Sequence, residues 1–254
     1  MPAIVLILCL LSLSCFGQAF TLRDVAFVGR ISTPAFVLTN EPAGSGANLI
    51  SWWLFSDYVT NAGIATLPDR GGVHSWDFTN GTTSAFPIGS SSNLLFSSTA
   101  SSKLTSGAYV GNQPHTIVLV LMDIQATNVA ASTAFYDGIN SGHRNLYRHI
   151  NTSEEMYSGT AVAFQTYSVS NIVRCVELTF AGAVSKAYTN GVLAATLNAG
   201  VQNQDQGMQL AFGSGGSGAS YRFFEMATYS ATNTPTQRSN IYYYFKTTKG
   251  YPLP

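Results

Sequence analysis

From His115 to Tyr229 the chain is a succession of short β-branched and aromatic runs broken by turn residues, and this pattern constrains the fold more than any other feature. His115–Met122 (HTIVLVLM) is the kind of continuous apolar run that sits centrally in a sheet. Ala161–Tyr167 and Val173–Phe180 follow across Ser/Asn turns, and Met208–Phe212 and Tyr221–Tyr229 flank a Gly/Ser-rich loop over Gly213–Ser220. Asn190-Gly191 divides the run Ser185–Thr196, and because both residues accept positive φ this pair predicts a tight hairpin. Many short strands joined by turns build a β-sandwich or a barrel. Only the end of the chain carries helical spacing. There Thr234 can cap, Pro235 suits the first turn, Ile241, Tyr244 and Phe245 recur on one face, and Lys249-Gly250 closes the segment.

Composition removes two classes of function. The chain of 254 residues carries 12 Lys+Arg against 12 Asp+Glu, so 9 % of it is charged, where about 25 % is usual. Zero net charge and no basic run argue against nucleic acid as a partner, since phosphate contacts need clustered Lys and Arg. A hydrophobic content of 46 % is equally at odds with intrinsic disorder. Gly, Ser, Thr and Asn stand where charges usually do.

The N-terminal residues divide into two segments. Residues 3–13 form an apolar run too short to span a bilayer, followed by Gly17-Gln18-Ala19, so 1–19 is expected to be a signal peptide. No Lys or Arg precedes the run, and a buried N-terminal strand is the alternative reading. Residues 20–47, with Pro34, Pro42 and Gly44-Ser45-Gly46, read as an extended arm and linker ahead of a domain over 48–254. Cleavage after Ala19 would remove Cys9 and Cys15 and leave Cys175 alone in an apolar strand, where a buried thiol is expected rather than a nucleophile. The expected location is secreted or extracellular, with a virion surface as the alternative.

Four stretches carry a family resemblance. Ile50-Ser51-Trp52-Trp53 precedes Leu67-Pro68-Asp69-Arg70-Gly71-Gly72, Thr116–Leu121 follows, Tyr188-Thr189-Asn190-Gly191 forms a hairpin, and Leu210–Gly213, Phe223–Tyr229 and Tyr244-Phe245…Lys249-Gly250 close the chain. In that order they resemble the concanavalin A-like lectin/glucanase superfamily, in its laminin G-like branch, over Leu49–Pro254. The resemblance implies an all-β, two-sheet antiparallel jelly-roll sandwich with a short C-terminal helix. That family holds glycosidases, lectins, adhesion modules and virion proteins, so function must be argued from a site.

The acidic residues do not form the glucanase pattern. Enzymes of that architecture align Glu-x-Asp-x-Glu on one strand so that period two aims the carboxylates into one cleft, and no such stretch occurs here. Adjacent Glu154 and Glu155 would point to opposite faces, and Glu177 and Glu225 stand alone. Glu225 matches a position where the family often keeps a Glu, which implies a structural hydrogen-bonding role. No Gly-x-Ser-x-Gly elbow is present, and His74, His115, His143 and His149 read as surface-loop residues. The resemblance makes Ca²⁺ a candidate cofactor, with Asp69, Asp137 and Asn140 as oxygen ligands; Asp and Asn that start turns by bonding their own backbone explain the same residues.

Two partner classes remain. Trp76, Tyr136, Arg144, Asn145, Tyr147 and Tyr157 supply the aromatic faces and planar polar groups that hold a sugar, and the same aromatics would equally fill sandwich layers. The first reading is a non-catalytic recognition or adhesion module whose partner is a glycan or protein on a cell or virion surface, without a stable membrane span. The second is a structural subunit of a fibre, surface layer or virion that forms a homo-oligomer through residues 20–47, whose Val25–Val28 and Ala35–Leu38 could add to a neighbour's sheet edge.

Overall fold

A computed structural model describes residues 48–61, 64–71, 76–79, 88–89, 93–96, 103–126, 133–150, 152–166, 171–213 and 219–254. The expected signal peptide and arm, and His74, lie outside them. The early strands are β1 (Leu49–Leu54), β2 (Val59–Asn61), β3 (Ile64–Leu67), β4 (Phe78–Thr79), β5 (Ile88–Gly89), β6 (Leu94–Phe96) and β7 (Leu104–Ser106). The longer ones are β8 (His115–Ala126), β9 (Thr133–Gly138), β10 (Leu146–Ile150), β11 (Ser153–Tyr157), β12 (Ala161–Thr166), β13 (Val173–Phe180), β14 (Ser185–Thr189), β15 (Val192–Leu197), β16 (Met208–Gly213) and β17 (Ala219–Tyr229). Helix α1 (Pro235–Tyr243) runs into a π-helical turn at Tyr244–Thr248.

Two antiparallel sheets result. One has eight strands in the order β15-β14-β13-β8-β17-β6-β5, with β1 sharing the β6 edge of β17; the other has nine, in the order β12-β11-β10-β9-β16-β7-β4-β3-β2. Their inner faces meet in a core that includes Trp53, Phe55, Phe78, Leu119, Phe135, Tyr147, Met156, Leu178, Leu210 and Phe223. Burying each large side chain contributes roughly 2–3 kcal/mol. The expected all-β sandwich with a short C-terminal helix is the fold observed.

The hydrophobic pattern of each strand follows from what covers its two faces. In β8, Ile117, Leu119 and Leu121 enter the inter-sheet core, while Val118 and Val120 join a second core under the C-terminal segment with Cys175, Phe224, Tyr229, Ile241, Phe245 and Leu253. Covered on both sides, β8 reads as a continuous apolar run instead of alternating. The helix begins where Thr234 and Gln237 form a reciprocal capping box with Pro235 in the first turn. At the β14–β15 hairpin, Asn190 and Gly191 adopt φ of 52° and 79°. The Asn190 Oδ1 also accepts from the Cys175 backbone N–H at 2.9 Å, which ties the turn to β13.

Two expectations are corrected. His115 and His149 are fully buried rather than in surface loops. His115 stacks on Phe180 with ring centroids 5.2 Å apart, and His149 Nδ1 lies 3.2 Å from the Tyr221 hydroxyl. Burial lowers their pKa values to about 3 and about 4, so both rings are neutral core groups. His143 does sit in a loop, 2.7 Å from Asp205. The strands β2 to β7, two to four residues each, were also invisible to a periodicity argument because runs so short carry no period.

Candidate functional site

The outward face of the nine-stranded sheet carries a line of hydrogen-bonding side chains that strand register assembles. Thr66 pairs with Thr79, Thr79 with Thr105, Thr105 with Gln209, and Gln209 with Asp137. Each is flanked in its own strand by residues that enter the core, such as Ala65 and Leu67, Leu104, or Met208 and Leu210, so alternation turns all five outward. At a strand spacing of about 4.8 Å the line runs roughly 19 Å across the sheet. The Thr105 hydroxyl donates to the Thr79 carbonyl at 3.2 Å, and Gln209 donates to the Gly138 carbonyl at 3.1 Å.

At the Asp137 end the line meets a cationic and aromatic group. Arg144 Nη1 lies 3.3 Å from Asp137 Oδ2, and the same guanidinium sits 4.9 Å from the centroid of the Tyr157 ring. This approach requires Gly138, because a Cβ there would stand 2.7 Å from the His143 carbonyl oxygen. Beside it Arg148 and Glu155, directly opposite each other in β10 and β11, pair at 2.9 Å. Burial, opposed by Arg144, holds the Asp137 carboxyl up at about 6. The loop segment that carries His143 and Arg144 packs against the Asp137 end, so Asp137 and Gln209 are 5 % and 8 % exposed, whereas Thr66 and Thr105 are half-buried and Thr79 is exposed.

The proposed ligand residues separate into two groups. Arg144, Tyr157 and Asp137 come together on the outward face as described. Tyr136, Tyr147 and Asn145 do not join them: all three are buried, the tyrosines inside the inter-sheet core and Asn145 3.4 Å from His115. Trp76 is half-buried with its ring edge-on to Tyr109 at 5.0 Å, and its carbonyl accepts from Trp53 Nε1 at 3.2 Å. These four fill the sandwich, which was the alternative reading of the same residues.

The proposed calcium ligands serve their own turns. Asp69 Oδ1 accepts from the backbone N–H of Trp52 at 3.0 Å and of Gly71 at 2.8 Å, fastening the turn to the tryptophan strand. Asn140 Oδ1 accepts from Gly142 N–H at 3.1 Å, and Asp137 Oδ1 from Gly138 N–H at 2.8 Å. Among the described residues no group of three His, Cys, Asp or Glu is placed to hold a metal ion.

Sequence reasoning missed a buried ionic network between the sheets. Arg174 of β13 bonds Glu154 of β11 and lies 2.8 Å from Asp123 of β8. Glu154 also accepts from the Tyr147 hydroxyl at 2.6 Å and from Gln165 at 2.8 Å. Burial, partly offset by Arg174, raises the Asp123 carboxyl to about 6. Nothing in the sequence joins these residues, which lie on five separate strands; the one available signal was a charged residue at an inward position of an otherwise apolar strand. Glu154 thus points inward and Glu155 outward, as the adjacency of the two predicted.

Neither a protein-family model nor a curated protein matches the sequence. Solved structures do match it. The binding domain of botulinum neurotoxin serotype G superposes with a TM-score of 0.61 at 12 % identity, over 79 % of this chain and 52 % of its own. The binding domain of Paraclostridial Mosquitocidal Protein 1 gives 0.60 at 10 %, over 79 % and 53 %. Trypanosoma rangeli sialidase in complex with sialic acid gives 0.58 at 10 %, over 79 % and 33 %. The chain thus spans between a third and about half of each neighbour, and what it shares with them is the β-sandwich.

Proposed function

We propose that this domain is a non-catalytic binding module that takes an extended, mostly neutral carbohydrate across the outward face of its nine-stranded sheet. The observation that carries this reading is the cross-strand line Thr66–Thr79–Thr105–Gln209–Asp137 ending at the Arg144–Tyr157 stack. Hydroxyl, amide and carboxylate groups repeating at strand spacing suit successive sugar hydroxyls, and an aromatic ring suits the apolar face of a sugar. The two toxin neighbours are named as binding domains, which supports recognition as the role. The non-catalytic part rests on the acids. Each carboxylate from Asp57 onward engages a cation, a phenol, an imidazole or a backbone N–H, and the outward pair Arg148–Glu155 is already matched. The tryptophan strand with its Asp69 turn and the Asn190-Gly191 hairpin support a place in the concanavalin A-like, laminin G-like jelly-roll superfamily. Export to the cell exterior or a virion surface accompanies that reading through the apolar run at 3–13.

A glycan array followed by calorimetric titration of the best oligosaccharide tests the proposal. Tyr157→Ala and Thr79→Ala should each weaken binding by about tenfold or more, equivalent to about 1.4 kcal/mol, with melting temperature little changed. An array on which no glycan is retained, or variants that bind like the parent, would overturn it.

A further inference from the structure

The tip of the β14–β15 hairpin is fastened to the sheet through a single asparagine. Thr189 and Val192 are the last paired residues of the hairpin, so Asn190 and Gly191 form a two-residue turn outside its ladder. Asn190 Oδ1 accepts from the Cys175 backbone N–H at 2.9 Å, and the Asn190 N–H donates to the Cys175 carbonyl at 2.8 Å. The turn therefore hangs on β13 by a side-chain bond and a backbone bond together. Gly191 itself is exposed.

An asparagine followed by glycine is also chemically insecure. The glycine nitrogen can attack the asparagine side-chain carbon, and glycine has no side chain to hinder the approach. In that step the bond from Gly191 N to Asn190 Cγ forms and the Cγ–Nδ2 bond breaks. The Gly191 N–H proton leaves with the amide nitrogen as ammonia, and a succinimide ring remains. Water then opens the ring at either carbonyl and gives aspartate or isoaspartate, so the balance needs only that water. The docked turn opposes the first step. Attack requires the Asn190 side chain to lie over the Gly191 nitrogen, whereas its oxygen is held on β13, and the swing would strip the buried Cys175 N–H of its partner.

We propose that Asn190 is a latent modification site, which keeps its amide while the hairpin is docked on β13 and converts to aspartate or isoaspartate when the hairpin opens. Isoaspartate routes the backbone through Cγ and leaves a carboxylate on Cα. A turn that needs φ of 52° and 79° at its two residues cannot re-form around that longer backbone, so opening leaves a permanent mark at the start of β15. Either product places a carboxylate in the hollow that Asn190 lines with Tyr242 and Lys246, and shifts a chain of zero formal net charge toward the acidic side.

Peptide mapping by mass spectrometry tests this on the full chain, incubated warm at neutral pH with and without guanidinium chloride. In denaturant, Asn190 and Asn80, which also precedes a glycine, should convert at similar rates. In buffer, Asn190 should convert more slowly than in denaturant by about tenfold or more, because local opening limits the step. An Asn190 that converts as fast in buffer as in denaturant would show that the tether shields nothing. An Asn190 that stays intact in denaturant while Asn80 converts would show that the pair is unreactive. Either result overturns the proposal.

Discussion

The outward faces of the two sheets use the same chemical groups for opposite ends. On the eight-stranded sheet, Glu177 and Glu225 flank β8 and are sealed beneath the C-terminal segment. Glu177 bonds Arg238 at 3.1 Å, whose guanidinium lies 3.5 Å above the Tyr188 ring. Glu225 accepts from Trp52 Nε1 at 2.6 Å, Tyr244 at 2.9 Å and Tyr251 at 3.0 Å, with Lys249 at 4.0 Å. On the nine-stranded sheet, Asp137, Arg144, Tyr157, Arg148 and Glu155 form a comparable set of acids, arginines and a phenol; Asp137 is buried beneath Arg144, and the other four are half-buried with no helix over them among the described residues. Carboxylate, guanidinium and aromatic ring thus anchor a helix on one sheet, and on the other they form the half-buried group that the proposed function uses.

The largest test of that contrast removes the anchor. Glu225→Ala deletes the acceptor shared by Trp52, Tyr244 and Tyr251 inside a covered interface, and should cost about 3 kcal/mol in urea denaturation, with early proteolysis of the C-terminal segment. A loss no greater than at an exposed position would mean that the helix is not held by this contact.

An effect of similar size per group is expected from pH. Burial raises Glu177 to about 7, opposed by Arg238, and raises Asp123 and Asp137 to about 6, above the ordinary 4.5 and 3.8. Between about pH 4 and 7 the native chain therefore holds protons that the unfolded chain releases, so stability is greatest below about pH 4 for these groups and falls as pH rises through 6 to 7. The loss should be of the order of 3 kcal/mol for each group across its own window. Glu177→Gln should flatten the slope near pH 7, and Asp137→Asn should do so near pH 6. A stability that instead climbs across that window would show that the buried carboxyls stay ionised in the native state.

The smallest effect belongs to the outward face of the nine-stranded sheet. Glu155→Ala breaks a cross-strand pair whose side chains are 23 % and 17 % exposed, and should change stability by at most about 1 kcal/mol. A cost approaching that of Glu225→Ala would show that the nine-stranded sheet is covered after all.

How much was legible beforehand depended on sequence distance. The Asn190-Gly191 turn, the Thr234-Pro235 helix start and the opposite facing of Glu154 and Glu155 are local consequences of backbone preference and period two. Glu225 was read as a structural hydrogen-bonding residue, and the structure gives it that role. Tyr136 and Tyr147 were offered as ligand residues because an aromatic in a strand looks the same whether it faces in or out. A bulge between Tyr147 and Arg148 in the β9–β10 pairing accompanies the inward turn of both Phe135 and Tyr136, and no local signal announces it. The cross-strand line was invisible for a similar reason: Thr66, Thr79, Thr105, Asp137 and Gln209 are ordinary polar residues until strands far apart in the chain set them side by side.

The sequence by itself determined an all-β chain with one terminal helix, few charges, and strands whose continuous apolar runs had to be covered on both faces. Those properties follow from side-chain period, turn chemistry and the transfer of apolar surface from water, all of which act locally. Only the tertiary structure decided which sheet the helix covers, and so which acids became its anchors. It also decided which strands remained at the edges. These outcomes depend on the order in which strands pair, and that order is fixed by contacts between segments distant in sequence, which no local pattern encodes.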